Sequence, residues 1–430
     1  MLPEPQYRPP LRAEERCGFD VDTLTHGLLR FEQPVRPVRQ NGHMEGVLRE
    51  MGDVATAERH VREVLVLYMP FGGGHKAAAE ALARELTASE HLAARALDIS
   101  EHLFSRLKLS RTLRRIYDVA ASSFGGRIHG AIYRFADSHP DLVVHLVEMF
   151  LGREFDNYIS RMNPIAIVST FPIIASSVSR RSKLSMIPAV SVITDAGRVN
   201  KIWAVPSPVL TLTGDIDTRS ILDMEGVDTE NFVYSGPIVS TALSQAPSRS
   251  TARRILDIDQ ARFTVFLNCG LVPSRRAIRQ FINLLQDRGL AVQILVRKDV
   301  KLGRVDEQTV VRVSPSLLQV VGIAAADLVV GKAGWATLNE AIALEKPVII
   351  IDRIPGQEDG NVAYALKHKG AAEMSPQEAV IYVESFIKDS STQLSPLSLW
   401  SDAAVRAATT GVKNAAEKIS KVIEQSQGVR

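Results

Sequence analysis

Two side chains that can accept a proton follow predicted buried strands. His75 comes directly after three glycines, and Asp195 ends the segment SVITD. An imidazole has a pKa near neutral pH, so His75 is the first candidate for a general base; Asp195 could serve as base or hold the histidine. The structural alternatives are a histidine that caps a tight turn and an aspartate that caps the turn after its strand.

The segment Gly72-Gly73-Gly74-His75 predicts a tight turn between a buried strand and a helix that starts at Lys76. Glycines let backbone N–H groups approach a ligand closely, and the start of a helix carries partial positive charge. The segment lacks the GxGxxG spacing of dinucleotide-binding loops and the GK[ST] of P-loops. An NAD site and direct ATP hydrolysis are therefore disfavoured.

Two polar segments in the second half of the chain could bind a phosphorylated sugar. GKAGWATLNE (331–340) predicts a strand end and a helix start whose N–H groups suit a diphosphate. Thr337 and Glu340 also fit the T-x-x-E capping box, which is the structural alternative. In IPGQEDGN (354–361), Gln357, Glu358 and Asn361 supply the donors and acceptors that sugar hydroxyls need, and a solvated loop is the alternative.

Predicted strands and helices alternate along two stretches of the chain, which indicates an α/β protein with parallel sheets. In such sheets, ligands bind beyond the carboxyl ends of the strands, where the segments above lie. The predicted strands lie at 64–70, 94–99, 164–170, 188–195, 209–215, 232–236, 263–270, 291–297, 327–334 and 346–352.

The same pattern predicts a domain organisation. We expect a disordered or loosely packed extension over 1–60 and a first Rossmann-like domain over 61–245. A polar linker (244–254) leads to a second Rossmann-like domain over 255–395, and a helix over 398–430 can cross back to the first.

Composition fits this organisation and excludes several other classes. The chain has 430 residues, 45% hydrophobic and 23% charged, with a net charge of +3, so nothing global points to nucleic acid. Cys17 and Cys269 make neither a disulfide framework nor a zinc site, which suits a reducing cytoplasm. No secretory signal or membrane-spanning segment is predicted, so membrane contact is expected to be peripheral.

Four motifs in this order carry a family likeness: GGGHKAAAEAL, VITD followed by KIWA, KAGWATLNEA and IPGQEDGN. Together they resemble the family of monogalactosyldiacylglycerol synthases and processive diacylglycerol glucosyltransferases over about residues 62–375. The resemblance implies the GT-B fold, in which two Rossmann-like domains face a central cleft. It also implies transfer of a hexose from a UDP-sugar to an acceptor hydroxyl, with no cofactor and no essential metal. The D-x-D at Asp215 and Asp217 is accordingly interpreted as an accident of spacing.

The resemblance implies roles for residues in both domains. Gly334 and Thr337 would lie near the diphosphate, Glu340 would hold the ribose, and Gln357 and Glu358 would face the sugar. The donor-binding set is Gly270, Lys332, Gly334, Thr337, Glu340, Gln357, Glu358 and Asn361. The acceptor side is assigned Gly73, Gly74 and Trp203, with His75 and Asp195 in the cleft.

The acceptor is expected to be a diacylglycerol-type lipid at the cytoplasmic membrane face. RLKLSRTLRRIYDVA predicts a basic amphipathic helix in which Arg111, Arg114 and Arg115 would meet an anionic surface. A helix packed on its own core with a solvated basic face is the alternative. Two other functions stay open: a transferase or UDP-sugar epimerase that acts on a small molecule, and a non-catalytic protein that binds nucleotide sugars.

Overall fold

The computed structural model describes most of the chain after residue 62. The described residues are 63–69, 73–88, 92–100, 127–172, 174–181, 184, 186–204, 208–269, 275–298, 300, 302, 309–314, 318–388 and 400–428. The predicted extension (1–60), the basic segment with Arg111, Arg114 and Arg115, and Gly270 lie outside them.

The first half of the described chain forms a parallel sheet of six strands in the order β2-β1-β3-β4-β5-β6. Its strands are β1 (Val64–Tyr68), β2 (Ala94–Asp98), β3 (Ala166–Ser169), β4 (Ala189–Val192), β5 (Leu210–Thr213) and β6 (Phe232–Tyr234). Its helices are α1 (Gly73–Ala88), α2 (Arg127–Ser138), α3 (Pro140–Met162), α4 (Ile174–Arg180) and α5 (Asp217–Met224). We call this unit the first lobe.

A second parallel sheet of six strands follows, in the order β12-β11-β10-β7-β8-β9, and forms the second lobe. Its strands are β7 (Phe263–Asn268), β8 (Val292–Arg297), β9 (Val310–Val313), β10 (Leu328–Lys332), β11 (Val348–Asp352) and β12 (Ala371–Glu373). Its helices are α6 (Arg249–Ile255), α7 (Arg275–Asp287), α8 (Ile323–Ala325), α9 (Trp335–Ala343), α10 (Asp359–Lys367) and α11 (Pro376–Lys388), and α8 continues from a π-helical turn, Leu318–Gly322.

These strand orders fix where a ligand can bind. In the first lobe β1 lies between β2 and β3, and in the second β7 lies between β8 and β10, so each sheet has one point where successive connections leave in opposite directions. Ligands of open α/β sheets bind at the carboxyl ends of the strands at such a point. The central strands of each sheet are buried on both faces; all five residues of β1, for example, are buried. This burial explains their continuous apolar runs.

The final helix, α12 (Asp402–Gly428), joins the two lobes. At its start, the Trp400 indole N–H donates to the carbonyl of Lys346 in the second lobe at 2.7 Å. Further along, Val412, Ala415 and Ile419 are buried in the core of the first lobe, with the spacing of one helical face. The helix contacts both α1 and α9. It therefore packs against both lobes.

Part of the predicted linker is instead a helix of the second lobe. Ser248 caps α6 by accepting a hydrogen bond from the Thr251 amide, and the Arg253 side chain is fully buried. Its guanidinium pairs with Asp327 at 2.6 Å and donates to the carbonyls of Ala325, Gln260 and Arg262. Polar composition suggested a solvated linker, but each of the three guanidinium nitrogens of this buried arginine has a protein partner, which anchors the segment.

Candidate active site

His75 lies in the first turn of α1, at the switch point of the first sheet. The helix begins at Gly73, so Gly73 and Gly74 belong to that turn and the predicted helix start at Lys76 is corrected. The ring is held by Nδ1, which lies 2.6 Å from the carbonyl oxygen of Thr170 and 3.0 Å from Thr194 Oγ1. A carbonyl can only accept, so Nδ1 carries the proton and Nε2 is the acceptor.

Burial makes His75 a weaker base than its residue type suggests. Desolvation lowers the pKa of His75 to about 4, against a smaller opposite effect of the hydrogen bond to Thr170. The imidazole is therefore neutral at pH 7, and its protonated form is disfavoured. The near-neutral pKa expected from the sequence does not hold in this environment.

Asp195 follows β4 and is buried against the second lobe. Its Oδ1 accepts a hydrogen bond at 3.0 Å from Asn361 Nδ2 of α10. Burial raises the pKa of Asp195 to about 7; the nearby Glu358 adds to this rise, while hydrogen bonds from Asn361 and Gln357 and the charge of Lys332 oppose it. A carboxylate with a pKa near the working pH is suited to general-base catalysis.

Helix α9 starts with uncapped amides beside the cleft. Gly334 is its N-cap and makes no side-chain cap, and the helix begins at Trp335. Thr337 is therefore the third helical residue, so the predicted capping box of Thr337 and Glu340 is wrong: it would place the N-cap at Thr337, three residues after the observed N-cap, Gly334. The first-turn amides have no intrahelical acceptor and suit an anion.

Glu340 lies on the second turn of α9 and is buried. Its carboxylate accepts a hydrogen bond from Gln319 Nε2, which also lies 3.4 Å from Thr337 Oγ1. Burial raises the pKa of Glu340 to about 8, and the Gln319 hydrogen bond opposes the rise. Gln319 was not predicted, since it lies in a π-helical turn without a motif of its own.

Lys332 and Glu358 form a buried ion pair between β10 and the segment before α10. Lys332 Nζ donates to Glu358 Oε1, and Glu358 Oε2 accepts from the Ile354 amide at 2.8 Å. The glutamate predicted to face the sugar is thus held by a lysine, while the neighbouring Gln357 donates to Asp195. This pair fixes the shape of the 354–358 turn.

Helix α2 contributes two residues that sequence reasoning missed, His129 and Tyr133. Burial lowers the pKa of His129 and the charge of Lys332 adds to this effect, while burial raises the pKa of Tyr133 and the charge of Asp195 adds to that one, so each side chain lies near a charged residue of the cleft. A Cβ at Gly356 would lie 3.0 Å from the Tyr133 ring. Their i, i+4 spacing was the available signal, but it also fits an ordinary buried helix face.

Two assigned residues do not point at a ligand. Trp203 is 4% exposed and packs in a small core with Ile193, Val199 and Phe232, so it stabilises the turn after Asn200 instead of lining the acceptor side. Asn361 is fully buried and has protein partners on both ends of its amide.

The D-x-D aspartates also have protein partners. Asp215 accepts from the Gly197 amide at 2.9 Å, and Asp217 pairs with Lys367 of α10. Asp215 therefore links two segments of the first lobe, and Asp217 links the first lobe to α10 of the second.

Comparison with known proteins agrees with this geometry. Residues 75–239 match the family "Monogalactosyldiacylglycerol (MGDG) synthase", and residues 281–418 match the "Glycosyltransferase family 28 C-terminal domain". Monogalactosyldiacylglycerol synthase 1 of Arabidopsis thaliana is 25% identical over 395 residues, covering 84% of this chain and 72% of that protein. A processive diacylglycerol beta-glucosyltransferase of Staphylococcus epidermidis is 20% identical over 346 residues, covering 77% and 86%.

Solved structures show the same fold at low identity. The glycotransferase of kitacinnamycin superposes with a TM-score of 0.54 at 13% identity, covering 84% of this chain and 98% of that one. MnaA of S. aureus, in a co-structure with UDP, has a TM-score of 0.53 at 11% identity, covering 86% and 98%. The two six-stranded lobes, their motifs and these relatives agree: the chain has the GT-B fold, its first lobe is similar to the monogalactosyldiacylglycerol synthases, and its second is similar to the C-terminal domain of family 28 glycosyltransferases.

Proposed function

We propose that this protein transfers a hexose from a UDP-sugar to a hydroxyl of a diacylglycerol-type lipid at a membrane surface. The observation that carries the proposal is the convergence of a proton acceptor and two helix starts on one cleft. A Cβ at Gly74 in α1 would lie 3.9 Å from Ala336 Cβ in α9, so the positive ends of both helices meet. Asp195 lies at the same junction, through Asn361 and the nearby Lys332.

The proposed reaction is a displacement at the anomeric carbon of the sugar, in which each group of the cleft has a separate role. The lipid hydroxyl oxygen forms a bond to the anomeric carbon, and the bond from that carbon to the diphosphate oxygen breaks, with its electron pair leaving on UDP. Asp195 takes the hydroxyl proton, and His75 Nε2 can accept a hydrogen bond from the acceptor. The N-terminal amides of α9 stabilise the charge that develops on the diphosphate.

Release of UDP from a panel of UDP-sugars, with and without diacylglycerol vesicles, tests this function. We expect turnover only when vesicles and the correct sugar are both present. Interconversion of free UDP-sugars without an acceptor would identify an epimerase. UDP binding without turnover on any acceptor would identify a non-catalytic binding protein.

Glu340→Gln should weaken donor binding and remove its pH dependence. Ribose hydroxyls donate to the ionised carboxylate, whose pKa is about 8 in the unliganded protein. UDP-sugar affinity should therefore rise with pH up to about pH 8 in the wild type, because binding must displace the proton. The variant should bind about 10–100-fold more weakly at pH 8.5, as expected for a lost charged hydrogen bond.

Calorimetry with a UDP-sugar between pH 6 and pH 9 measures both effects. Glu378→Gln is the control, since Glu378 lies at the start of α11 and its carboxylate accepts a hydrogen bond from Ser375 Oγ. Unchanged affinity in Glu340→Gln at pH 8.5 would show that Glu340 does not hold the ribose.

An exposed apolar surface beside the cleft supports a lipid acceptor. Ile132 and Phe135 on α2, and Leu142, Leu146 and Met149 on α3, are between 39% and 59% exposed. We call these five residues the apolar patch. Helix α2 also carries His129 and Tyr133 near the cleft. One helix therefore has a solvent-exposed apolar face and a second face beside the site. No helix of the described residues is long and apolar enough to cross a membrane.

Charging the apolar patch should reduce activity on vesicles without changing donor binding. In Phe135→Glu/Met149→Glu, two side chains that are 50% and 59% exposed lose their favourable transfer into lipid. We expect at least about tenfold weaker co-sedimentation with anionic diacylglycerol vesicles, because each buried apolar side chain contributes about 1.5–3 kcal/mol. UDP-sugar affinity should stay unchanged. Met224→Glu, at an 80% exposed site on α5, is the control. Equal vesicle binding by all three proteins would rule out the patch as the contact surface.

A further inference from the structure

Asn361 has hydrogen bonds to three segments that meet at the cleft. Its Nδ2 donates to Asp195 Oδ1 at 3.0 Å and to the Ala333 carbonyl at 3.1 Å, and its Oδ1 accepts from the Ala196 amide at 2.8 Å. Ala196 N–H can only donate, so the atom that faces it must be the amide oxygen. The orientation of the Asn361 amide is therefore fixed by its partners.

These contacts leave Asn361 no donor for a ligand. A primary amide has two N–H groups, and both are used within the protein. The side chain is 0% exposed. A sugar hydroxyl could reach Asn361 only by displacing Asp195 or Ala333, which would leave a buried polar group unpaired. The donor-binding role that the resemblance gives this residue is thus not available in this arrangement.

The backbone around Asn361 is packed too closely for the contact to be incidental. A Cβ on the neighbouring Gly360 would lie 1.9 Å from the carbonyl oxygen of Ala196. Gly197, at φ +63°, faces Gly360 from the other side of the interface. The turn after β4 is therefore seated directly on the first turn of α10, with the Asn361 side chain between Asp195 and the start of α9.

We propose that Asn361 is a positioning residue, which orients the Asp195 carboxylate for proton transfer and makes that orientation depend on docking of the second lobe. This inference rests on the proposed function, in which Asp195 is the base. With Oδ1 held by Asn361, rotation of the carboxyl group is blocked and the position of its second oxygen is determined. When the lobes separate, Asp195 loses this hydrogen bond and Ala196 N–H loses its acceptor.

The charge environment of Asp195 determines the direction of the expected pH effect. Glu358 from the 354–358 turn disfavours an ionised Asp195 carboxylate, and Lys332 from the end of β10 favours it. Tyr133 from α2 also lies near Asp195, but burial raises its pKa, so the phenol is neutral and adds no charge. The Asn361 and Gln357 hydrogen bonds also favour the ionised form. Loss of the Asn361 donor therefore raises the pKa of Asp195, and the acid limb of activity should move to higher pH.

The test compares pH profiles of kcat for UDP release at saturating UDP-sugar in the wild type, Asn361→Ala and Asn361→Asp. We expect kcat to fall at least about tenfold in Asn361→Ala, with the UDP-sugar KM within about threefold of the wild type. The apparent pKa of the acid limb should be higher in Asn361→Ala than in the wild type. It should be higher still in Asn361→Asp, which places a second carboxylate against Asp195. Asn361→Asp is nearly isosteric and keeps the oxygen that pairs with Ala196, so it guards against a folding defect in the alanine variant.

A double-mutant cycle separates positioning from other roles. If Asn361 acts through Asp195, adding Asn361→Ala to Asp195→Asn should reduce turnover little further. Asn339→Ala is the matched control, because Asn339 is 1% exposed, donates to the Trp335 carbonyl and does not bond Asp195. The apparent pKa of the acid limb in Asn339→Ala should equal that of the wild type.

A raised KM for the UDP-sugar, together with an unchanged apparent pKa of the acid limb, would overturn the inference. It would indicate that Asn361 binds the sugar of the donor. Full turnover in Asp195→Asn would instead overturn the proposed base. The two failures are therefore distinguishable.

Discussion

Asp195→Asn is expected to lower turnover by about 10²–10⁴-fold while UDP-sugar affinity changes little, because it removes a general base but keeps the shape of the side chain. The asparagine can still accept the hydrogen bond from Asn361, so the lobes should stay docked. UDP release gives the rate, and calorimetry gives the affinity. Near-normal turnover would exclude Asp195 as the base.

The wild-type pH profile distinguishes the two candidate bases. The pKa is about 7 for Asp195 and about 4 for His75. At saturating UDP-sugar, where the pH dependence of donor binding through Glu340 no longer limits the rate, kcat should fall about tenfold per pH unit below pH 7 with Asp195 as base. With His75 as base, the rate should stay level down to about pH 4. In the latter case His75→Ala, and not Asp195→Asn, would abolish turnover.

The same substitution should stabilise the fold at alkaline pH. The folded-state pKa of Asp195, about 7, lies above the ordinary aspartate value of about 4. Between these values the folded protein holds a proton that the unfolded chain has released, so stability falls as pH rises through this window and the loss is complete above pH 7. Asp195→Asn should add on the order of 4 kcal/mol at pH 8 and nothing near pH 4, as measured by urea unfolding.

Gly360→Ala is expected to separate the lobes. A Cβ would lie 1.9 Å from the Ala196 carbonyl oxygen, so either the turn after β4 or the start of α10 must move by more than 1 Å. Displacements of this size at a reacting group can cost about 10²-fold in rate. We therefore expect kcat/KM to fall about 10²-fold and Tm to fall, while far-ultraviolet circular dichroism stays like that of the wild type.

Gly130→Ala is the matched control for this steric effect. It adds the same methyl group near the interface, but its nearest contacts, Arg134 Nη1 and the Pro355 carbonyl oxygen, are at an ordinary 3.5 Å. Its activity should stay within about twofold of the wild type. If Gly360→Ala matched Gly130→Ala in rate and Tm, close docking of Ala196 on Gly360 would not be required for turnover.

The sequence predicted the architecture because each sheet strand carries its own local signal. All six strands of the first sheet and four of the second were predicted, most of them from apolar, β-branched runs. Strands β9, with the sequence VVRV, and β12, with AAE, were missed because a short strand interrupted by charge, or built of small residues, has no such run. The exact start of α9 was also missed, since a capping-box pattern two residues inside the helix looks like a real cap.

The arrangement of the site depended on contacts that no local pattern contains. Asp195 and Asn361 are 166 residues apart, and neither segment signals the other. Trp203 was assigned to the ligand by position, but its apolar neighbours place it in a core. Arg253 was predicted to lie in a linker because no local sequence pattern indicates its ion-pair partner, Asp327. In each case a long-range partner decides between a solvated and a buried role.

The path of α12 limits how the enzyme can open. This helix starts beside Lys346 in the second lobe and ends in the core of the first, and at 27 residues it is about 40 Å long. Where the chain first passes from β6 toward the second lobe, it touches α12: Asn414 Nδ2 donates to the Ser235 carbonyl at 3.2 Å. Because two adjacent connections restrict relative movement more than one, we expect the lobes to open by a hinge motion and not by sliding past each other. With Asp195 as the proposed base, such a hinge would bring Asp195 and Asn361 back to the same alignment each time the lobes close.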